Sequence, residues 1–264
     1  MIPKIIHYCW FSGKEMSPFI KKCMKTWEEK LPDYKLRLWD ANSFDFDSVP
    51  FVRDAYKARK WAFVTDYVRL YALYTEGGIY MDTDVKVMKN FDEFLKYNFF
   101  TSHEVHPFFY SDAEQKKLDD TFRPIDENVT INGLGVQAAI MGSIKGLPYL
   151  KECLEHYDSL KFDINDLKSL VIGGHITPIL HKYGYKYIDE TQCLRDNIVI
   201  FKSNIFVGNA LFLNRDSYAI HLCNGAWTDS ANTLEFKIRN KFPVLSVFIT
   251  YINKIVRFIN RKFK

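Results

Sequence analysis

The segment that most constrains this chain is residues 60–84, KWAFVTDYVRLYALYTEGGIYMDTD. Residues 60–75 are apolar on almost every side, the composition of a helix covered by protein rather than one lying on a surface. Gly77–Gly78 then stops the helix, Ile79–Met81 forms a short strand, and Asp82 and Asp84 follow at its end. Within the helix Asp66 and Arg69 are three residues apart and share a face. On a solvated helix such a pair is worth only a few tenths of a kcal/mol. In an apolar helix it carries more meaning, because an unpaired charge there is costly to bury.

The residues before this segment predict how it is housed. Lys4–Trp10 is a continuous β-prone run, expected to be a strand buried on both faces. Ser17 and Pro18 stand as N-cap and first helical residue, Phe19, Ile20, Cys23, Met24, Trp27 and Leu31 recur at helical spacing, and Pro32 ends the run. Tyr34–Trp39 supplies a second strand. A strand–helix–strand opening implies a right-handed parallel crossover and an α/β nucleotide-binding fold, whose ligands collect beyond the carboxyl ends of the strands, where the acidic pair sits. Past residue 100 the pattern predicts a polar, acidic loop or lid over 104–130, helices near 146–158 and 167–183, and short strands near 198–201 and 218–222. There is no internal repeat or low-complexity segment.

With 47% apolar and 16% aromatic residues in a 264-residue chain, disorder is excluded. Five cysteines without a CxxC pair suggest neither a disulfide framework nor a zinc site and fit a reducing compartment. The opening MIPKIIHYCW reads as a strand, not a secretion signal. The net charge is +4, but residues 236–264 hold eight Lys or Arg and no acid, which leaves the remainder at −4. The positive field belongs to the tail, which argues against nucleic acid and for an anionic surface. We expect one domain over 1–235 and a basic tail over 236–264.

Two carboxylates one residue apart on an extended segment point to the same side, so both reach one hard cation, Mn2+ or Mg2+, and through it a diphosphate. An isolated Asp-X-Asp is more often a solvated acidic turn, so the company it keeps decides. FVTDYVRLYALYTEGGIYMDTD resembles the signature of the DXD-containing sugar transferases of glycosyltransferase family 32, and IPKIIHYCWFSG resembles that family's first strand. Together they cover most of residues 2–88. The resemblance implies a GT-A-like fold with a mixed, mainly parallel sheet, a nucleotide-sugar donor with UDP-hexose favoured, a glycan acceptor, and transfer with retention of anomeric configuration. It implies that Asp84 ligates the metal, that Asp82 touches the ribose and reaches the metal directly or through water, and that Tyr80 helps hold the donor. Trp10 would stack on the base, Asp66 would accept from donor hydroxyls, and Arg69 would bridge sugar and phosphate.

Near the end, YAIHLCNGAW places His221 at a strand terminus, with Asn224, Gly225 and Trp227 after it, resembling the segment that closes the site in related transferases. His221 is then a third metal ligand and Trp227 a donor contact. On its own, a histidine at such a place is more often structural. Asn132, beside Gly133, is a candidate for the point where sugar and acceptor meet. No carboxylate stands out as a nucleophile of the two-carboxylate kind, so same-face displacement is expected, with the leaving phosphate oxygen assisting the acceptor hydroxyl.

In residues 244–264, Ser246, Thr250, Asn253, Arg257, Asn260 or Arg261, and Lys264 recur at three or four among Val, Leu, Phe and Ile. This C-terminal amphipathic helix falls short of the ~20 apolar residues of a membrane span. It suits the anionic interface on the cytoplasmic, inner face of the membrane, as a peripheral anchor for an enzyme of polysaccharide or capsule biosynthesis acting on a lipid-linked acceptor. The same pattern fits a helix docked on the body or on a second subunit. Two rival classes stay open. MDTDV meets the DxDx[TV] pattern of aspartyl-phosphate phosphatases, with Asp82 as nucleophile, and a non-catalytic carbohydrate-binding module would keep the pocket without the chemistry.

Overall fold

The computed structural model describes residues 1–107, 109–126, 129 and 131–223. The expected tail helix, with Asn224, Gly225 and Trp227, lies outside the described residues. Residues 1–221 form one compact unit, and residues 222–264 form a second. No helix among the described residues is long and apolar enough to cross a membrane.

The opening run becomes strand β1 (Ile5–Cys9), followed by helix α1 (Pro18–Lys30) and strand β2 (Lys35–Trp39). Ser17 caps α1 as its position predicts, its hydroxyl accepting from the Ile20 N–H at 3.3 Å. Helices α2 (Pro50–Lys57) and α3 (Trp61–Glu76) lead into β3 (Gly78–Met81) and β4 (Val85–Val87). Next come β5 (Phe99–Val105), the single turn α4 (Asp112–Gln115), β6 (Leu134–Val136), β7 (Ile140–Ser143) and helices α5 (Pro148–Ser159) and α6 (Ile172–Ile179). Strands β8 (Gln192–Cys193), β9 (Ile198–Phe201), β10 (Phe206–Val207) and β11 (Ala219–His221) complete the described elements.

The central sheet runs β2-β1-β3-β7-β5-β9-β8, with β6 paired to β5. Strands β2, β1, β3, β5 and β9 point one way and β6, β7 and β8 the other, so the sheet is mixed and mainly parallel in strand direction. β2 is an edge strand, and only Trp39 in it is buried. Because the chain leaves β1 for β2 on one side and returns to β3 on the other, the carboxyl ends of β1 and β3 form a topological switch point, where a crevice opens. Asp82 follows β3 and Trp10 follows β1 at that point.

Strand β3 shows how the layers are divided. Ile79 and Met81 join the core under α1 with Trp27 and Val85, whereas Tyr80 joins the core under α3 with Val64 and Val68. The two faces are thus covered by different helices, the period-2 alternation of a strand buried on both sides. The glycine pair before β3 has a steric cause. Gly77 and Gly78 both have positive φ, and a Cβ on Gly78 would come within 2.7 Å of the Ile5 carbonyl in β1. A second sheet, β10-β11-β4, pairs β11 antiparallel to β4 with His221 opposite Val85. The residues expected as a loop or lid from 104 begin instead inside β5, which continues to Val105 because β6 pairs along its end.

Candidate active site

Four elements converge at the carboxyl end of β3. Helix α3 is buried from Phe63 to Leu70, so Asp66 and Arg69 are almost wholly enclosed, at 6% and 5% exposure. They satisfy one another, Arg69 Nη2 lying 2.9 Å from Asp66 Oδ1. The rest of the guanidinium is also engaged. Nη1 donates to the Ala138 carbonyl at 2.7 Å, Nε donates to the Thr65 carbonyl at 3.3 Å, and Cζ lies 4.7 Å from the centre of the Tyr80 ring. Burial lowers the proton affinity of Arg69, but Asp82, Tyr80 and Asp66 outweigh it, so the group is held cationic. Burial pushes the Asp66 carboxyl up to about 7, Arg69 opposing and Asp82 adding to the rise.

Arg69 also reaches Asp82, at 3.6 Å between Nη2 and Oδ1. The same oxygen accepts from the Tyr80 hydroxyl at 2.6 Å, and the Asp82 N–H donates to the Ala139 carbonyl at 2.9 Å. Asp82 is therefore oriented by three groups, with Oδ1 turned to Arg69 and Tyr80 and Oδ2 turned toward His221 at 3.8 Å. His221 Nε2 lies 3.1 Å from Asp84 Oδ1. The β4–β11 ladder causes this meeting, because pairing His221 with Val85 sets it beside the residue just before Val85.

Asp82, Asp84 and His221 each offer a ligand atom, and these atoms lie within 4.8 Å of one another. Two carboxylates and an imidazole are a donor set suited to Mn2+, and the two carboxylates alone suit Mg2+; Asp82 has the outer hydrogen bonds that fix a ligand's direction. The residues fit the group that the sequence implies.

The structure brings Asp66, Arg69, Tyr80, Asp82, Asp84 and His221 together. Trp10 stands half-buried just past β1, its indole N–H donating to the Lys14 carbonyl at 2.6 Å, and it shares the switch-point edge with Asp82. Tyr80, at 1% exposure, lies behind Asp82, and its hydroxyl is used on that carboxylate. Asn132 is exposed, its backbone N–H donating to Glu114 at 2.7 Å and its side-chain amide donating to the same carboxylate. Sequence reasoning missed Ala138 and Ala139, whose carbonyls hold Arg69 and Asp82, because backbone acceptors leave no trace in side-chain identity. It also missed Cys9. The Cys9 thiol is buried against Arg69, Asp82, Thr65 and Tyr80, and burial pushes it far above the ordinary thiol range, so it packs the site as a neutral group.

Residues 18–101 match the family model for a glycosyltransferase sugar-binding region containing the DXD motif. That region carries the signature of this DXD family. The initiation-specific alpha-1,6-mannosyltransferase of Candida albicans is 33% identical over 103 residues, 35% of this chain and 27% of that protein. The inositol phosphoceramide mannosyltransferase 3 of Schizosaccharomyces pombe is 32% identical over 103 residues, covering 36% of this chain and 28% of that one. The chain thus spans about a quarter of the length of these two relatives. Among solved structures, the PaToxG glycosyltransferase aligns over 69% of each chain at 18% identity with a TM-score of 0.46. The DXD family match ends at residue 101, so Asp66, Arg69, Tyr80, Asp82 and Asp84 lie inside it and His221 outside.

Proposed function

We propose that this chain is a metal-dependent, retaining glycosyltransferase that moves a hexose from a nucleotide diphosphate sugar to a glycan acceptor. The observation that carries the reading is the convergence of Asp82, Asp84 and His221 around one point, beside an arginine that its acidic neighbours keep cationic against the effect of burial. Asp82, Asp84 and His221 would hold Mn2+ or Mg2+. When bound, such an ion neutralises the charge that builds on a diphosphate as its bond to a sugar breaks. Arg69 adds a fixed positive charge next to Asp82 without rearranging, since four interactions already hold it. Asp66 keeps that guanidinium in place and offers a carboxyl to donor hydroxyls. Tyr80 and the Ala139 carbonyl keep Asp82 in one orientation. Trp10 supplies an aromatic face at the same edge for a base.

The resemblance favours a UDP-hexose donor, and the names of the two fungal relatives add GDP-mannose to the set to be tried. A lipid-linked acceptor, a place in polysaccharide biosynthesis, and a peripheral position on the cytoplasmic face of a membrane belong to the same reading, motivated by the basic tail. The test is release of nucleoside diphosphate from a panel of UDP- and GDP-sugars with manganese, then after chelation with EDTA. Turnover of at least one donor that stops on chelation and returns with manganese is expected. Absence of release from every donor would sink the reading.

A further inference from the structure

One carboxylate at this edge has no part in the metal cluster. Alternate residues of β5, Phe100, Ser102 and Glu104, meet β10 and the glycine that follows it. Phe100 stacks on Phe206 with ring centres 5.3 Å apart, Ser102 Oγ accepts from the Phe206 N–H at 3.0 Å, and a Cβ placed on Gly208 would meet Glu104 Cγ at 3.5 Å. Strand β10 runs parallel to β11 with Phe206 opposite Ala219 and Val207 opposite Ile220, so Gly208 falls level with His221. The ladder that delivers His221 to the two aspartates therefore delivers Glu104 to the same strand end. The Asn209 side-chain amide fixes the turn by donating to the Val105 carbonyl at 3.2 Å.

Glu104 is neither packed away nor loose. Its side chain is 33% exposed, and Oε1 accepts from His106 Nε2 at 3.1 Å. Burial raises its proton affinity, but the hydrogen bond and charge of His106, with the fields of His221 and Arg69, more than reverse this, so it stands as a carboxylate. Among the described residues the metal cluster is Asp82, Asp84 and His221 without Glu104. A carboxylate repels the diphosphate end of a donor, whereas it accepts well from the hydroxyls of a neutral sugar.

We propose that Glu104, steered by His106, binds the acceptor in this cleft by accepting a hydrogen bond from a hydroxyl of the incoming saccharide. This rests on the glycosyltransferase reading above.

The experiment uses the full chain with manganese, the donor it turns over best among UDP- and GDP-sugars, and octyl glucoside, galactoside and mannoside as acceptors. In Glu104→Gln the KM for the acceptor rises about 10- to 100-fold, the range for losing a hydrogen bond to a charged group, while the donor KM does not follow. His106→Gln, which takes away the hydrogen bond that steers the carboxylate without removing the carboxylate, raises the acceptor KM by about threefold, and it reads the same effect should Glu104→Gln fail to fold. An equal rise in donor KM, or a matching loss of acceptor-free donor hydrolysis, puts Glu104 on the donor and overturns the proposal. So does an unchanged acceptor KM, or a parent that hydrolyses its donor yet glycosylates none of the three octyl glycosides. A parent that releases no nucleotide from any donor fails at the earlier step, which distinguishes the two failures.

Discussion

Two histidines on the central architecture show how the same side chain is put to opposite uses. His221 ends β11 with its Nε2 between two carboxylates, 3.1 Å from Asp84 and 3.8 Å from Asp82, and remains partly open to solvent. His103 sits inside β5 with no exposure, Nδ1 accepting from the Tyr185 hydroxyl at 3.1 Å and Nε2 donating to the Glu190 carbonyl at 2.9 Å. One imidazole is surrounded by acids that can share a cation with it. The other is satisfied by neutral partners and walled off, and burial lowers its pKa to about 4. The partners a histidine is given, not its place at or near a strand end, separate the ligating role from the structural one.

The sharpest way to break this contrast is to remove a carboxylate from the first corner. Asp84→Ala is expected to lower manganese-dependent nucleoside diphosphate release by about 10³-fold, because Asp82 and His221 alone cannot hold a hard cation in a fixed direction. His103→Gln should leave manganese affinity as it is. If Asp84→Ala keeps its turnover, the acidic corner is as structural as the neutral one.

A second test asks what the acidic corner contributes to folding. Arg69→Met removes the cation that serves both Asp66 and Asp82 and leaves Asp66 enclosed at 6% exposure. The expected loss, from denaturant unfolding at neutral pH, is about 3–5 kcal/mol, since breaking the buried pair from one side leaves Asp66 enclosed without its partner, to be buried protonated, and takes the neighbouring cation from Asp82. The double variant Asp66→Asn with Arg69→Met should recover much of that. A double variant no more stable than the single one would mean that the guanidinium matters for its contacts with Ala138 and Tyr80 and not for its charge.

The two corners also differ in how legible they were in the sequence. Asp66, Arg69, Tyr80, Asp82 and Asp84 lie on one continuous helix–glycine–strand segment, whose periodicity and turn residues translate directly into neighbours in space. Boundaries there agree closely, with α3 at Trp61–Glu76 and β3 at Gly78–Met81. His221 could be placed at a strand end, and β11 at Ala219–His221 falls within the expected stretch, but its meeting with Asp84 depends on a long-range ladder to β4, three residues long. Strand β7 was invisible. It sits in the middle of the sheet, yet is the four-residue IMGS, and its Gly142 looks like a turn signal. The structure gives the reason for that glycine, because a Cβ there would run into the Phe100 ring at 2.1 Å. Glu104 was hidden in the same way, since the polar stretch SHEVH reads as loop until β6 pairs along it.

The last and smallest effect sharpens the comparison from the neutral side. With a folded pKa of about 4 against an ordinary 6.5, His103 takes up a proton in the unfolded chain well before it does so in the folded one. The stability it supports is present above about pH 6.5 and is lost as pH falls toward 4, by at most about 3 kcal/mol. Asp66 works in the opposite direction. Its folded pKa of about 7 lies above the ordinary 3.8, so the folded chain keeps a proton that the unfolded chain releases, and stability from this source fades as pH rises between those values. The parent's pH profile mixes the two, but the difference in unfolding free energy between the parent and His103→Gln isolates the histidine. Measured by urea unfolding from pH 7 to pH 4, that difference should move by about 3 kcal/mol, with the parent losing ground as acid is added. A difference that stays flat would mean that His103 already shares its proton with Asp189, whose charge favours the protonated ring, and the second corner would then be less neutral than its hydrogen bonds imply.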